Sequence, residues 1–407
     1  MSTAPPARPS PVSWLYLAVC VVLVSLNLRT LFSSFSAILP EIVAATGLPA
    51  WGATVLTTVP ATLLGVFAPV APVLARRLGS WRVLLGALLL LTAGLVVRSV
   101  PVPDGGAMVP LLAGTVVSGA AIALANVVLP SIVKQDFRAH LGLMSGLYTT
   151  AICGSAALGA GLTFPALGAV GDWRLALGLW AVPVLVAAAL LVPVVRRHRS
   201  SARPVTSTTG RSPLASPVAW HITLMMVFQA MTSFTCFAWL APILRERGLE
   251  GGLAGLVVAV SIVLQMAGSL AAPVLAARMR SQSALNAAAA VLTGGGFILS
   301  VHGPLAGVWA WTGLLGLGQG ALTALALTMI TLRSDSAHMA IRVSGMMQGL
   351  GYGLGSSGTF ITGQVFAATG SFGPAAWLFA ASGLGAAVFG WLAGRDRTIE
   401  EEPAGAV

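Results

Sequence analysis

Charge is scarce in this sequence. Asp, Glu, Lys and Arg make up 8% of 407 residues, 57% are hydrophobic, and mean hydropathy is +0.90. So little polar surface cannot cover a soluble globule, and the chain reads as a membrane protein. Cysteine is also scarce: Cys20, Cys153 and Cys236 each stand alone in an apolar run. That excludes a disulfide framework and a thiolate metal site. Acid is scarcer than base. All 11 carboxylates, from Glu41, Asp104, Asp136 and Asp172 through Glu246, Glu250 and Asp335 to Asp396 and the Glu400 to Glu402 run, fall in expected loops, helix ends or the tail. His140, His198, His221, His302 and His338 do the same. Proton relays in carriers use Asp, Glu or His at membrane depth, so an ordinary buried proton switch is missing. An acidic cavity for cationic solutes is missing too. No His-Glu metal motif, paired carboxylates or Ser/His/Asp set stands at membrane depth. The expectation is therefore no enzyme, no cofactor and no metal.

What the sequence has in abundance is apolar runs. Twelve candidate spans lie at about 13–39, 51–74, 83–100, 108–133, 142–166, 174–195, 217–242, 252–276, 284–301, 306–332, 343–368 and 373–393, each near the length that crosses a bilayer. The formal net charge of +11 is dispersed in short clusters between these runs, which is a topology signal and not a nucleic-acid footprint. With the N-terminus placed in the cytoplasm, most of the 22 Lys and Arg fall in cytoplasmic segments. Only Arg98, Arg174, Arg245 and Arg247 fall on the outer side, and Arg29 within the membrane. This bias predicts both termini inside, in the cytoplasmic membrane. One basic residue, Arg8, precedes the first run with no small-residue cleavage site, so that run is read as an uncleaved helix.

Two halves are expected. The stretch 196–216 is basic, rich in Ser, Thr and Pro, and aperiodic, and reads as a flexible cytoplasmic linker between six-helix halves at 1–195 and 217–407. Ala71-Pro-Val-Leu-Ala-Arg-Arg-Leu-Gly-Ser80 and Ala272-Pro-Val-Leu-Ala-Ala-Arg-Met-Arg-Ser281 match at seven of ten positions, each closing the second helix of its half. The same offset pairs Gly119 with Gly320, and a near one pairs Ser145-Gly146 with Ser344-Gly345. A parallel repeat of this kind predicts an all-α polytopic protein of 12 transmembrane helices, its halves related by a pseudo-twofold and its site between them.

Arg29 is the residue that most needs a reason. It lies roughly 24 Å along a continuous helix from Ser13 and roughly 15 Å from Leu39 at ~1.5 Å per residue. Placing Arg at a helix centre costs on the order of 2.5–3.5 kcal/mol, so such a residue normally faces a bundle interior or an aqueous cavity. On a helix, Ser25, Arg29, Ser33 and Ser36 share one face, and Asn27 points roughly 200° away toward a neighbouring helix. Near the same depth lie Tyr148 and Thr149, then Gln229, Thr232 and Ser233, then Gln348 and Tyr352, the last two one turn apart. These are the candidate substrate-binding residues. For each neutral one, packing between helices competes with ligand contact; Asn126, Gln265 and Gln319 are placed on the structural side. Phe237 and Trp239 are candidate gates, with an interfacial aromatic belt as the commoner role. Gly349, Gly351, Gly353 and Gly355 allow close helix contact.

The organisation resembles the major facilitator superfamily over essentially the whole chain. The loop Pro72 to Arg82 stands at the place of that superfamily's Gly-x-x-x-Asp-Arg-x-Gly-Arg-Arg motif, with Arg77, Gly79 and Arg82 fitting but Pro72 and Arg76 replacing its Gly and Asp. Leu26-Asn-Leu-Arg29, Gly65-Val-Phe-Ala-Pro-Val-Ala-Pro72, Asn126-Val-Val-Leu-Pro130 with Lys134, Gly142-Leu-Met-Ser-Gly-Leu-Tyr-Thr-Thr150 and Gly171-Asp-Trp-Arg-Leu-Ala-Leu-Gly-Leu-Trp180 resemble the cyanate and 2-nitroimidazole transporter family. The resemblance implies a monomeric secondary carrier in the lipid bilayer, moving a small-molecule substrate by alternating access. One guanidinium among neutral donors suits a small anionic or polar planar solute, because its fork matches planar oxyanion groups. A multidrug or metabolite exporter of the same fold is the alternative, and the acid-free cavity disfavours it for cations.

Overall fold

A computed structural model describes residues 13–48, 50–101, 107–198 and 212–399. Most of the linker and the ends of the chain therefore lie outside the described residues. The first half contains α1 (Trp14–Ser25), α2 (Thr30–Ala37), α3 (Leu39–Thr46), α4 (Ala50–Phe67), α5 (Val70–Leu78), α6 (Ser80–Arg98), α7 (Met108–Asp136), α8 (Leu141–Val170), α9 (Trp173–Gly178) and α10 (Ala181–His198). The second contains α11 (Pro217–Glu246), α12 (Gly251–Arg278), α13 (Ser283–His302), α14 (Val308–Arg333), α15 (Ala337–Gly355), α16 (Ser357–Thr369) and α17 (Ala376–Ala393). Among the described residues ten segments are long and apolar enough to cross a membrane, and the pair Val59–Phe67 and Val70–Leu78, bent by 53°, makes an eleventh. In the place of the expected span 343–368 are α15 and α16, which meet at Ser356. Together these fill the twelve places of the expected fold. Exposed apolar side chains such as Val109, Phe360, Trp377 and Leu384 face outward, as a bilayer-facing surface requires.

The first span is not the continuous helix that the spacing of Ser25, Arg29, Ser33 and Ser36 presumes. Residues 26–29 form turns between α1 and α2, with neither Gly nor Pro present. The Asn27 side-chain amide donates to Leu23 O at 2.7 Å and the Thr30 hydroxyl to Asn27 O at 3.0 Å. Such local bonds compete with the helical ladder. The bond from Asn27 is therefore within its own segment, not to a neighbouring helix.

The core shows how the halves meet. One apolar cluster runs through both halves on the side where the termini emerge, including Leu64, Ala68, Met144, Leu325 and Met347. On the opposite side it gives way to separate clusters, around Phe35, Ile42 and Trp173 in the first half and around Leu244, Phe297 and Phe379 in the second. On the shared side the helices touch through glycine. A Cβ on Gly142 of α8 would lie 2.6 Å from the Pro273 carbonyl oxygen of α12, and one on Gly146 would lie 2.7 Å from Leu270 O. The pseudo-twofold mates repeat this: a Cβ on Gly345 of α15 would lie 2.7 Å from Pro72 of α5. Pro72 and Pro273 are the equivalent prolines of the sequence repeat. Polar stitches close the same side, where Lys134 Nζ donates to Thr331 O at 2.8 Å and Gln348 Nε2 to Asn126 O at 3.1 Å. The Lys134 bond complements the negative end of α14.

Candidate functional site

The break at 26–29 carries Arg29 to the space between the halves. Its backbone N–H, freed from the helical ladder, donates to Ser155 Oγ of α8 at 3.0 Å, and its carbonyl accepts from Ser33 Oγ at 3.2 Å. Gly159 admits α2 to this position: a Cβ there would fall on Ser33 Oγ and lie 3.2 Å from Thr30 Cα. The Arg29 side chain shares the space between the halves with Tyr352 of α15, from across the pseudo-twofold.

Arg29 and Tyr352 border a cavity of about 190 Å³ between the halves. Its polar lining adds Ser33, Asn126, Thr149, Ser233, Gln265 and Thr323, with the Cys153 thiol. Ile152, Ala156, Ala157, Ile262, Leu327 and Phe237 form its apolar wall. None of these lining residues is acidic. The arrangement offers one fixed positive charge, amides and hydroxyls around it, and an apolar wall that includes the Phe237 ring. That combination can hold a small planar molecule by a polar or anionic group at one end.

Of the residues singled out in the sequence, Arg29, Thr149, Ser233 and Tyr352 line the cavity, and Phe237 stands on its wall, half of it exposed. Thr149 also donates its hydroxyl to Ser145 O at 2.7 Å. Tyr148 is 1% exposed and faces the packed core. Gln229 is buried behind the wall and donates to Thr323 Oγ1 at 2.5 Å, so it orients a lining hydroxyl instead of meeting the cavity. Gln348 spans the two halves through Asn126 O and also bonds Ser344 Oγ at 2.8 Å. Trp239 does not line the cavity either: it donates to Thr359 O at 3.1 Å and packs on Phe372, which ties α11 to α16. Asn126 and Gln265, which the sequence reading places on the structural side, both line the cavity. Each lies about mid-span, and depth alone was the available signal. Cys153, passed over as one cysteine among apolar neighbours, lines it as well.

The loop after α5 also departs from the superfamily pattern as the sequence predicts. Gly79 takes a positive φ of 86° to end α5, where an L side chain would be strained. The Trp81 indole donates to Asp136 at 2.9 Å, so an acid from the end of α7 is held against the start of α6.

Residues 17–358 match the family model described as Major Facilitator Superfamily. An uncharacterized transporter of Bacillus subtilis (strain 168), YycB, is 33% identical over 390 residues, covering 94% of this chain and 94% of that protein. The 2-nitroimidazole transporter of Escherichia coli (strain K12) is 32% identical over 384 residues, 93% of this chain and 95% of that one. The cyanate transport protein CynX of the same organism is 27% identical over 354 residues, covering 86% and 90%. Among solved structures, the proton:xylose symporter XylE bound to 6-bromo-6-deoxy-D-glucose superposes with a TM-score of 0.75 at 13% identity, covering 94% of this chain and 97% of that chain. At that identity the likeness concerns the fold.

Proposed function

The chain belongs to the major facilitator superfamily, and we propose that it carries a small anionic or polar planar solute by alternating access, with Arg29 as its principal binding residue. The observation that carries this reading is the Arg29 guanidinium at a helix break, facing a 190 Å³ cavity between the halves whose lining holds no acid. Two relatives, named for 2-nitroimidazole and for cyanate transport, support a compact planar substrate. The solute's charged or polar edge lies against Arg29 and Tyr352, with Asn126, Gln265, Thr149 and Ser233 around it and Phe237 beside its flat face. With the termini in the cytoplasm, the joined side of the core is the inner gate, and the cavity faces outward. Transport then requires the glycine contacts, the Lys134 bond and the Gln348 bond to part while the outer ends of the halves come together.

Charge constrains the energetics. With the inside negative, importing one anionic charge costs ~2.3 kcal/mol per 100 mV, roughly a fiftyfold concentration penalty. If the direction is uptake, an anionic solute therefore enters by exchange, with a co-transported cation, or in its protonated form. Any proton dependence lies in the substrate or in rim acids such as Glu41 and Asp136.

The test is uptake into proteoliposomes with a panel of small anions, nitroimidazoles and cationic dyes. Arg29→Ala is expected to abolish uptake of the accepted solute, and Arg29→Lys to recover little, because an ammonium lacks the planar fork. Unchanged substrate affinity in a well-folded Arg29→Ala protein would refute the assignment.

A further inference from the structure

The first half also holds a buried cation that the central cavity does not use. Arg98, expected at the outer end of the span 83–100, is the last residue of α6 and is 1% exposed. Glycine makes room for it: a Cβ on Gly114 of α7 would lie 2.6 Å from the Arg98 backbone nitrogen. Its guanidinium makes one long hydrogen bond, from Nη1 to Leu31 O at 3.4 Å, and stands 5.2 Å from the centroid of the Phe35 ring. Nε is buried without a partner, and no ion pair to Arg98 is present among the described residues. Beside it lies a cavity of about 40 Å³, bordered by Leu31, Phe35, Pro60, Arg98 and Thr115.

A guanidinium has five donors and is always charged, and burying such a group is unfavourable unless a counter-charge or several acceptors meet it. The protein supplies one distant carbonyl and one ring face. Water fits the space but leaves the charge uncompensated. A small space beside a single positive charge suits one small monovalent anion, which neutralises that charge, better than a divalent one, which would leave a negative charge buried. We infer that this cavity binds one monovalent inorganic anion of halide size, held by the Arg98 guanidinium and the Thr115 hydroxyl, distinct from the central cavity. Because Arg98 also bonds the Leu31 carbonyl, the ion braces α2 two residues beyond Arg29. Pro60 cannot donate to the Leu56 carbonyl, so a backbone acceptor also adjoins this region. Water is therefore the competing occupant.

The experiment uses the purified full chain in detergent. Radioactive chloride binding is measured at equilibrium, and thermal unfolding is followed in sodium chloride, bromide and gluconate at equal ionic strength. The wild type is expected to retain one chloride per chain and to gain a saturable rise in unfolding midpoint in chloride and bromide over gluconate. Both effects are expected to vanish in Arg98→Gln and to persist in Arg29→Gln. Thr115→Val, which keeps the charge and the packing volume, is expected to weaken chloride binding about tenfold, as loss of one hydrogen bond to a charged group does. It also serves if Arg98→Gln does not fold. A wild type that retains no chloride, leaving water as the occupant, would overturn the inference. So would chloride affinity unchanged in both Arg98→Gln and Thr115→Val, or chloride binding lost in Arg29→Gln, which would put the ion in the central cavity.

Discussion

Adding a single methyl group to Gly142 tests whether the joined side of the core is a gate. An alanine Cβ there would lie 2.6 Å from the Ala277 methyl carbon and 2.6 Å from the Pro273 carbonyl oxygen. Carbon atoms in contact settle at about 3.5–4.0 Å, so α8 and α12 must separate by about an ångström to admit the group. Overpacking of this kind costs about 1–3 kcal/mol, and the cost applies only while these helices touch. The methyl group therefore disfavours the state shut on the side of the termini relative to the state open there, by roughly 5- to 150-fold at 1.4 kcal/mol per decade. Cys153 reports the population, because its thiol borders the central cavity while Cys20 is buried. In intact cells, alkylation of Cys153 by a membrane-impermeant reagent, followed by mass spectrometry of its peptide, is expected to slow in Gly142→Ala as the outward-facing fraction falls. Gly345→Ala, whose Cβ would lie 2.7 Å from Pro72 of α5 in the corresponding contact of the other pair of helices, is expected to do the same. Wild-type alkylation rates in both variants would show that these contacts do not set the gate.

Two further outcomes separate structural from binding roles. Gln348→Leu leaves the Asn126 carbonyl without its donor and is expected to lower stability by about 1–3 kcal/mol while leaving KM unchanged; a raised KM at unaltered stability would return Gln348 to the binding residues. Gly159→Val places a side chain where Ser33 Oγ and Thr30 stand, so it is expected to displace α2, raise KM and lower the uptake rate, and kinetics like those of wild type would show that α2 does not position the solute.

The fold was legible because its signals are large. Apolar run lengths and the repeated Ala-Pro-Val-Leu-Ala strings each report on many residues at once, and Pro72 and Pro273 each pack on a glycine of the opposite half. The lining of the candidate site was legible where a residue is anomalous by chemistry. A charge at membrane depth singles out Arg29 by its chemistry alone. Neutral residues at the same depth carried no such signal, because an amide at mid-span serves a helix contact or a cavity equally well. Depth therefore could not separate Gln348, which ties the halves, from Gln265, which lines the cavity. The helix break escaped notice because Asn27 and Thr30 cause it through side-chain bonds, without the Gly or Pro that usually marks one. Arg98 was misplaced because a charged residue near the end of an apolar run is normally at the surface, and only the packing of α2, α4 and α7 encloses it.

The glycine contacts on the shared side also bear on how fast the carrier can turn over. Where two surfaces meet through long side chains, each opening frees many rotamers that must be found again on closing, at about 0.5–1.5 kcal/mol for each side chain immobilised. Here glycine meets a backbone carbonyl at Gly142 and Gly146 and the rigid Pro72 ring at Gly345, so at these contacts almost no side-chain freedom is gained or lost when the helices part. Closing is then close to a rigid-body landing with little searching. The interface can be tight in one state without making the return to it slow, which is what a cycling machine requires of a surface it must break and remake once per molecule moved.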